Sequence, residues 1–144
     1  MDSIWGNFRR LDKITGWVLF VISTAVYLIT LEPTVSFWDC GEFILSSFRL
    51  QVGHPPGAPL FLMIGRIATL FALGDTSKVA LMMNALSAVS SGFAIMFLYW
   101  TITHLVRKVY GWTNEAASGH IAVIIGSGIT GALAYTFSDT FWFS

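Results

Sequence analysis

The stretch Leu31–Leu60, LEPTVSFWDCGEFILSSFRLQVGHPPGAPL, carries Asp39, Glu42, Arg49, His54 and all four prolines of the chain, and long apolar runs flank it on both sides. A polar, proline-punctuated segment between apolar runs reads as a loop between membrane spans. In a helix starting near Asp39, the residues Asp39, Glu42, Ser46 and Arg49 fall at i, i+3, i+7 and i+10 and share one face. Cys40, Ile44, Phe48 and Val52 fall on the other face. A helix so divided is expected to lie in the membrane interface with its carboxylates toward water. A purely structural reading stands beside this one: Asp39 as helix N-cap and Glu42 as its N3 partner in a capping box.

Working outward, the 144 residues are 55% hydrophobic and only 11% charged, against about 25% charged in a typical soluble domain. Basic and acidic residues cancel, so nothing points to nucleic acid, and the placement of the charges is what informs. Uncharged runs of 18 residues (Lys13 to Glu32), 28 (Lys78 to Arg107) and 23 (Glu115 to Asp139) separate them. Each run can cross a hydrocarbon core, which takes roughly 20 helical residues. The first run is too long for the apolar core of a cleaved signal peptide and meets Glu32-Pro33 where a cleavage site would stand, so it is expected to remain as an anchor. The one cysteine, Cys40, excludes an internal disulfide.

The expected architecture is an all-α membrane protein with three transmembrane helices, at about 14–31, 82–106 and 120–137. The first external loop, 32–77, is expected to hold one or two juxtamembrane helices. Arg9, Arg10 and Lys13 precede the first span, and positive residues favour the cytoplasm, so the N-terminus is placed there and the Asp39 loop outside. If the apolar stretch 57–73 also crossed, Arg107 and Lys108 would end outside, against that rule. A surface or re-entrant helix avoids this and spares Arg66 the bilayer centre. Three spans leave almost no soluble core, and the chain is expected to be the N-terminal fragment of a longer protein forming part of a single transmembrane domain.

In the second span, Asn84, Ser87, Ser90, Ser91 and Gly92 suit close helix contacts, and His104 near its end is read as structural. The third span contains Gly126-Ser-Gly128-Ile-Thr-Gly131, a formal G-x-G-x-x-G. A dinucleotide fingerprint needs a preceding strand in a βαβ unit, which is missing in this apolar context. The pairs Ala122/Gly126 and Ser127/Gly131 instead predict approach of another helix.

This topology gathers Asp39, Glu42, Arg49, His54, Arg66 and Asp139 toward one membrane face. The spans between them hold no ionisable side chain but His104 and His120. Ion and proton transport normally leave acids or bases inside the spans, so chemistry on a lipid-borne substrate at the surface is favoured. Carboxylates there can act as general base or hold a divalent cation, and arginine or histidine can neutralise a phosphate leaving group.

The segments Thr34-Val-Ser-Phe-Trp-Asp39-Cys-Gly-Glu42-Phe and Gly53-His-Pro-Pro-Gly-Ala-Pro59, behind one anchor helix, resemble the start of GT-C membrane glycosyltransferases. The likeness is greatest to the bacterial protein O-mannosyltransferase-like family. The resemblance implies transfer of a mannose-like sugar from a polyprenyl-phosphate donor to an acceptor outside the cytoplasm, a protein Ser/Thr hydroxyl or a glycan, in the bacterial inner membrane. It implies Asp39 as the general base with Glu42 beside it and Asp139 as a second acidic position. Arg66 and His54 are chosen as donor-phosphate contacts on charge and side. The motif here is Asp-Cys-Gly-Glu, where relatives have adjacent Asp-Glu. The competing class is a non-enzymatic multi-pass scaffold or assembly subunit, in which Asp39 would matter only for folding or association; a transporter ranks third.

Overall fold

The computed structural model describes residues 2–35, 39–54, 57–109 and 118–138. Among these every regular element is a helix: α1 (Asp2–Ile29), α2 (Cys40–Arg49), α3 (Pro59–Leu70), α4 (Val79–Val109) and α5 (Ser118–Thr136), with a 3-10 turn at Thr76–Lys78 leading into α4. Within the described residues, Asn7–Ile29, Thr76–Val109 and Gly119–Thr136 are long and apolar enough to cross a membrane. The chain is thus a multi-pass membrane protein. Helix α1 starts at Asp2, well before the uncharged run, because an α-helix tolerates charged residues where it projects beyond the hydrocarbon. At its other end it stops at Ile29, ahead of Pro33, whose ring is incompatible with a preceding helical turn.

Helix α3 is 12 residues long, about 18 Å at 1.5 Å per residue, too short to cross a core of about 30 Å. Pro59 stands in its first turn, where a missing N–H costs nothing. Its residues Leu60, Met63, Ile64 and Ile67 are all exposed and recur at i, i+3, i+4 and i+7. The result is a short helix with an apolar stripe uncovered by protein, as expected of a surface or re-entrant helix. Leu73 and Gly74 then take left-handed backbone conformations, φ 51° and 87°. Asp75 closes this turn, its Oδ1 accepting from the Ser77 N–H at 3.0 Å and the Ser77 hydroxyl at 2.6 Å, with Lys78 Nζ 3.1 Å from Oδ2.

The chain forms two compact units. One comprises residues 1–27 and 91–144, the other residues 28–90. In the first, α1, α4 and α5 meet through small residues. A Cβ on Gly128 would stand 2.7 Å from Thr103 Cγ2 and 2.8 Å from the Tyr99 ring, one on Gly131 would stand 2.6 Å from Ile102 Cδ1, and one on Gly92 would collide with the Thr24 hydroxyl. Tyr27 donates its hydroxyl to the Thr136 carbonyl at 3.0 Å, tying α1 to α5. The glycine motif of α5 is therefore a helix contact, although the contact face is 124/128/131/132 and a Cβ on Gly126 would meet nothing. The Ala122/Gly126 pair is not part of it, since Ala122 is exposed and the 3.6-residue period turns that pair away from α4.

In the second unit α2 and α3 pack against each other. Gly65 is the close point: a Cβ there would lie 2.6 Å from Ser47 Oγ and 2.8 Å from Met83 Cε. Ser47 is fully buried and Ser46 nearly so. The face carrying Glu42 and Ser46 thus does not simply turn to water. Gly53 and His54 fold back over it, which periodicity within α2 cannot reveal. Val52 lies beyond the helix and is 93% exposed, so it is not on the opposing face at all.

Candidate membrane-surface site

Asp39 is the N-cap of α2 and is exposed. Its carbonyl accepts from the Phe43 N–H at 3.0 Å, but its side chain makes no cap hydrogen bond. The capping box therefore does not form, and the Asp39 carboxylate is not used to hold the helix end.

Glu42, one turn on, goes elsewhere. Its Oε1 accepts from the His54 backbone N–H at 2.7 Å, and its Oε2 lies 2.8 Å from His54 Nδ1. This two-pronged grip joins α2 to the Gly53-His54 turn, and it needs a glycine beside it: a Cβ on Gly53 would stand 3.0 Å from Glu42 Oε1. The His54 backbone N–H, followed by its ring, holds the Glu42 carboxyl below its ordinary value of 4.5. Conversely, hydrogen bonding and the charge of Glu42 raise His54 above its ordinary 6.5, and the Asp39 charge adds to this. Asp39, Glu42 and His54 are thus electrostatically one cluster. The Phe43 ring packs edge-on to Phe61 of α3 at 5.6 Å and stands 6.3 Å from the His54 ring, so the turn is braced on its apolar side as well.

Both Glu42 oxygens are engaged by His54, while the Asp39 carboxylate is exposed. Among the described residues no group of three or more His, Cys, Asp or Glu side chains stands together to hold a metal ion.

Arg66 does not join this cluster. Its Nη1 donates to the Phe48 carbonyl at 2.6 Å, and its guanidinium stands 5.6 Å from the centre of the Phe48 ring. Phe48 is in the last turn of α2, where carbonyls lack helical partners and cations are favoured. Arg66 therefore caps α2 from α3. The helix end itself turns through Leu50 in the left-handed region, φ 53°, with the Gln51 N–H returned to the Ser46 carbonyl at 3.0 Å. Arg49 lies 5.7 Å from the same Phe48 ring, not against Glu42. Asp139, the remaining candidate, lies outside the described residues.

Asn84, whose place in the second span suits helix packing, is a structural clamp. Its Nδ2 donates to the Glu32 carbonyl at 2.7 Å and to the Thr34 carbonyl at 3.0 Å, fixing the backbone that leads toward Asp39. A carboxamide at the start of a span was the one available signal, and nothing in the sequence names its partners.

The fold and this surface cluster define a multi-pass helical membrane protein whose acidic site sits on a short helical hairpin between spans. Residues 39–144 match the family model described as the protein O-mannosyl-transferase TMEM260 N-terminal domain, and the chain belongs to that family. It is 32% identical over 125 residues to the protein O-mannosyl-transferase tmem260 of Dictyostelium discoideum, covering 87% of this chain and 13% of that protein. It is 29% identical over 125 residues to protein O-mannosyl-transferase TMEM260 of Mus musculus, covering 86% of this chain and 15% of the relative. The chain thus spans about a seventh or less of the length of these relatives. No solved structure matches it.

Proposed function

We propose that the full-length protein is a membrane glycosyltransferase that moves a mannose-like sugar from a polyprenyl-phosphate donor to a Ser or Thr hydroxyl of an extracytoplasmic protein. The observation that carries this reading is the family match over residues 39–144, which includes Asp39, the acid whose side chain makes no hydrogen bond to the helix it caps. In this reading the N-terminus is cytoplasmic and residues 32–77 face the opposite side.

Asp39 is the general base: it takes the proton of the acceptor hydroxyl as the oxygen attacks the anomeric carbon and the carbon–oxygen bond to the donor phosphate breaks. Glu42 positions His54 instead of acting on the acceptor. His54, held protonated to higher pH by Glu42, supplies positive charge to the departing phosphate. Arg66 fixes the end of α2 through Nη1, and its remaining N–H donors are its means of serving that phosphate. Asp139 is kept as a second acid of the site on the family resemblance.

The test is mannose transfer from a radiolabelled polyprenyl-phosphate mannose pool to endogenous membrane acceptors, with the full-length protein and its Asp39→Asn variant at matched expression. Loss of a general base lowers the rate about 10²–10⁴-fold, and the variant should remain folded and membrane-inserted. Equal transfer by both removes Asp39 as the base. A variant that fails only to assemble with other membrane proteins favours the scaffold reading.

A further inference from the structure

Within the unit formed by residues 1–27 and 91–144, a cleft of about 340 Å³ opens between the N-terminal part of α1 and the C-terminal part of α4. Arg9, Asp12 and Lys13 line it from α1, and Trp100, His104 and Arg107 line it from α4. Spacings of three and four residues put each set on one stripe of its helix. Trp100 sets the width: its indole N–H donates to the Asp12 carbonyl at 3.3 Å, and its ring lies where a Cβ on Gly16 would come within 2.6 Å.

The charge of this lining is positive. Three cations, Arg9, Lys13 and Arg107, stand against one carboxylate, Asp12, for a net charge of +2 with His104 neutral. Arg107 Nη2 is 3.3 Å from His104 Nδ1. A guanidinium can only donate, so Nδ1 accepts and the ring proton resides on Nε2, a further donor. The cleft also lies at the ends of two spans, which begin at Asn7 and finish at Val109. That is the depth of lipid headgroups. Leu11, Ile14 and Leu105, within a turn of the lining residues, are exposed to about half or more and offer an apolar flank to acyl chains.

We propose that this cleft binds the phosphate of an anionic phospholipid headgroup, with Arg9, Lys13 and Arg107 as its cations and the His104 Nε2–H as an additional donor. Basic pockets between transmembrane helices are suited to such headgroups, and the cavity is of the size that small ligands use. A soluble phosphate shares the chemistry but gains nothing from the apolar flank. The site uses none of Asp39, Glu42 or His54 and stands independently of the proposed transfer reaction.

The test uses the full-length protein in detergent, titrated separately with short-chain phosphatidylglycerol, short-chain phosphatidylcholine and inorganic phosphate while Tm is read. Phosphatidylglycerol should raise Tm saturably and phosphatidylcholine should not. The Lys13→Gln/Arg107→Gln variant should weaken apparent affinity roughly ten- to thirtyfold for two charges removed. Arg10→Gln/Lys108→Gln, which removes the same charge from neighbouring positions outside the cleft lining, should leave it within about twofold. Lys13 is exposed, so Lys13→Gln alone carries the comparison if the double variant does not fold. Equal loss in both double variants, equal response to the two lipids, or the whole shift produced by inorganic phosphate would overturn the proposal.

Discussion

The two units of this chain use polar side chains in different proportions. In the unit of α1, α4 and α5, hydroxyls turn back to their own helix: Ser23 donates to the Leu19 carbonyl, Thr101 to Phe97, Ser127 to Ile124 and Thr136 to Ala132. Close contact between helices falls at glycines, with Tyr27 and Trp100 each adding one bond to a carbonyl of a neighbouring helix, Thr136 and Asp12. In the unit of residues 28–90, polar side chains reach across the sequence: Glu42 to His54, Arg66 to Phe48, and Asn84 to Glu32 and Thr34. The difference follows from solvent. Inside hydrocarbon a polar group needs a partner within the protein, most simply its own helix, and close packing holds the helices, whereas at the surface a charged or amide group can shape irregular backbone. A site that must hold carboxylates in defined places needs the second kind of construction.

The sharpest way to break this comparison is through the glycines, which both units use. Gly65→Ala and Gly128→Ala should each lower stability by about 1–3 kcal/mol, the cost of overpacking, because the new methyl meets Ser47 and Met83 in one case and Tyr99 and Thr103 in the other. Gly126→Ala, on the same helix as Gly128 but facing nothing, should be neutral or stabilising by up to about 1 kcal/mol. Thermal unfolding of the full-length protein in detergent separates the three, and a destabilised Gly126→Ala would sink the assigned contact face of α5.

The cross-sequence bonds should come next in size. Asn84→Ala removes two hydrogen bonds to backbone carbonyls and should cost about 1–2 kcal/mol. Its effect should be concentrated as faster amide exchange around residues 31–35, whereas Ser90→Ala, whose hydroxyl only bonds its own helix at Leu86, should leave that segment unchanged. Leu50→Gly, at the left-handed end of α2, should instead raise stability by about 1 kcal/mol, since glycine takes that conformation without the side-chain penalty.

The smallest effect is the pH response of the surface cluster. The lowered Glu42 pKa stabilises the fold above pH 4.5, and this is lost as pH falls through the folded value below 4.5. The raised His54 pKa stabilises it below pH 6.5, and this is lost as pH rises through the folded value above 6.5. The charged pair is therefore complete between those two folded values. An NMR titration should show His54 titrating above 6.5 in the parent and closer to 6.5 in Glu42→Gln. An unchanged midpoint in the variant would show that Glu42 does not hold the ring.

By itself the sequence determined a membrane protein of three spans with a surface helical segment after the first, because the spacing of sixteen charges along an apolar chain is a one-dimensional record of what can enter hydrocarbon. It also singled out Asp39, Glu42 and His54 as candidates, because a proline-rich loop between spans brings acids and an imidazole to the membrane surface. It did not show that Ser46, on the face of Glu42, is buried, nor that Arg66 donates to the Phe48 carbonyl. The grip of Glu42 on His54 twelve residues away, the cap from Arg66 and the clamp from Asn84 were decided only by tertiary structure. Each depends on a segment folding back through a turn, and the angle of that return is set by contacts between side chains distant in sequence, which no periodicity within a single helix encodes.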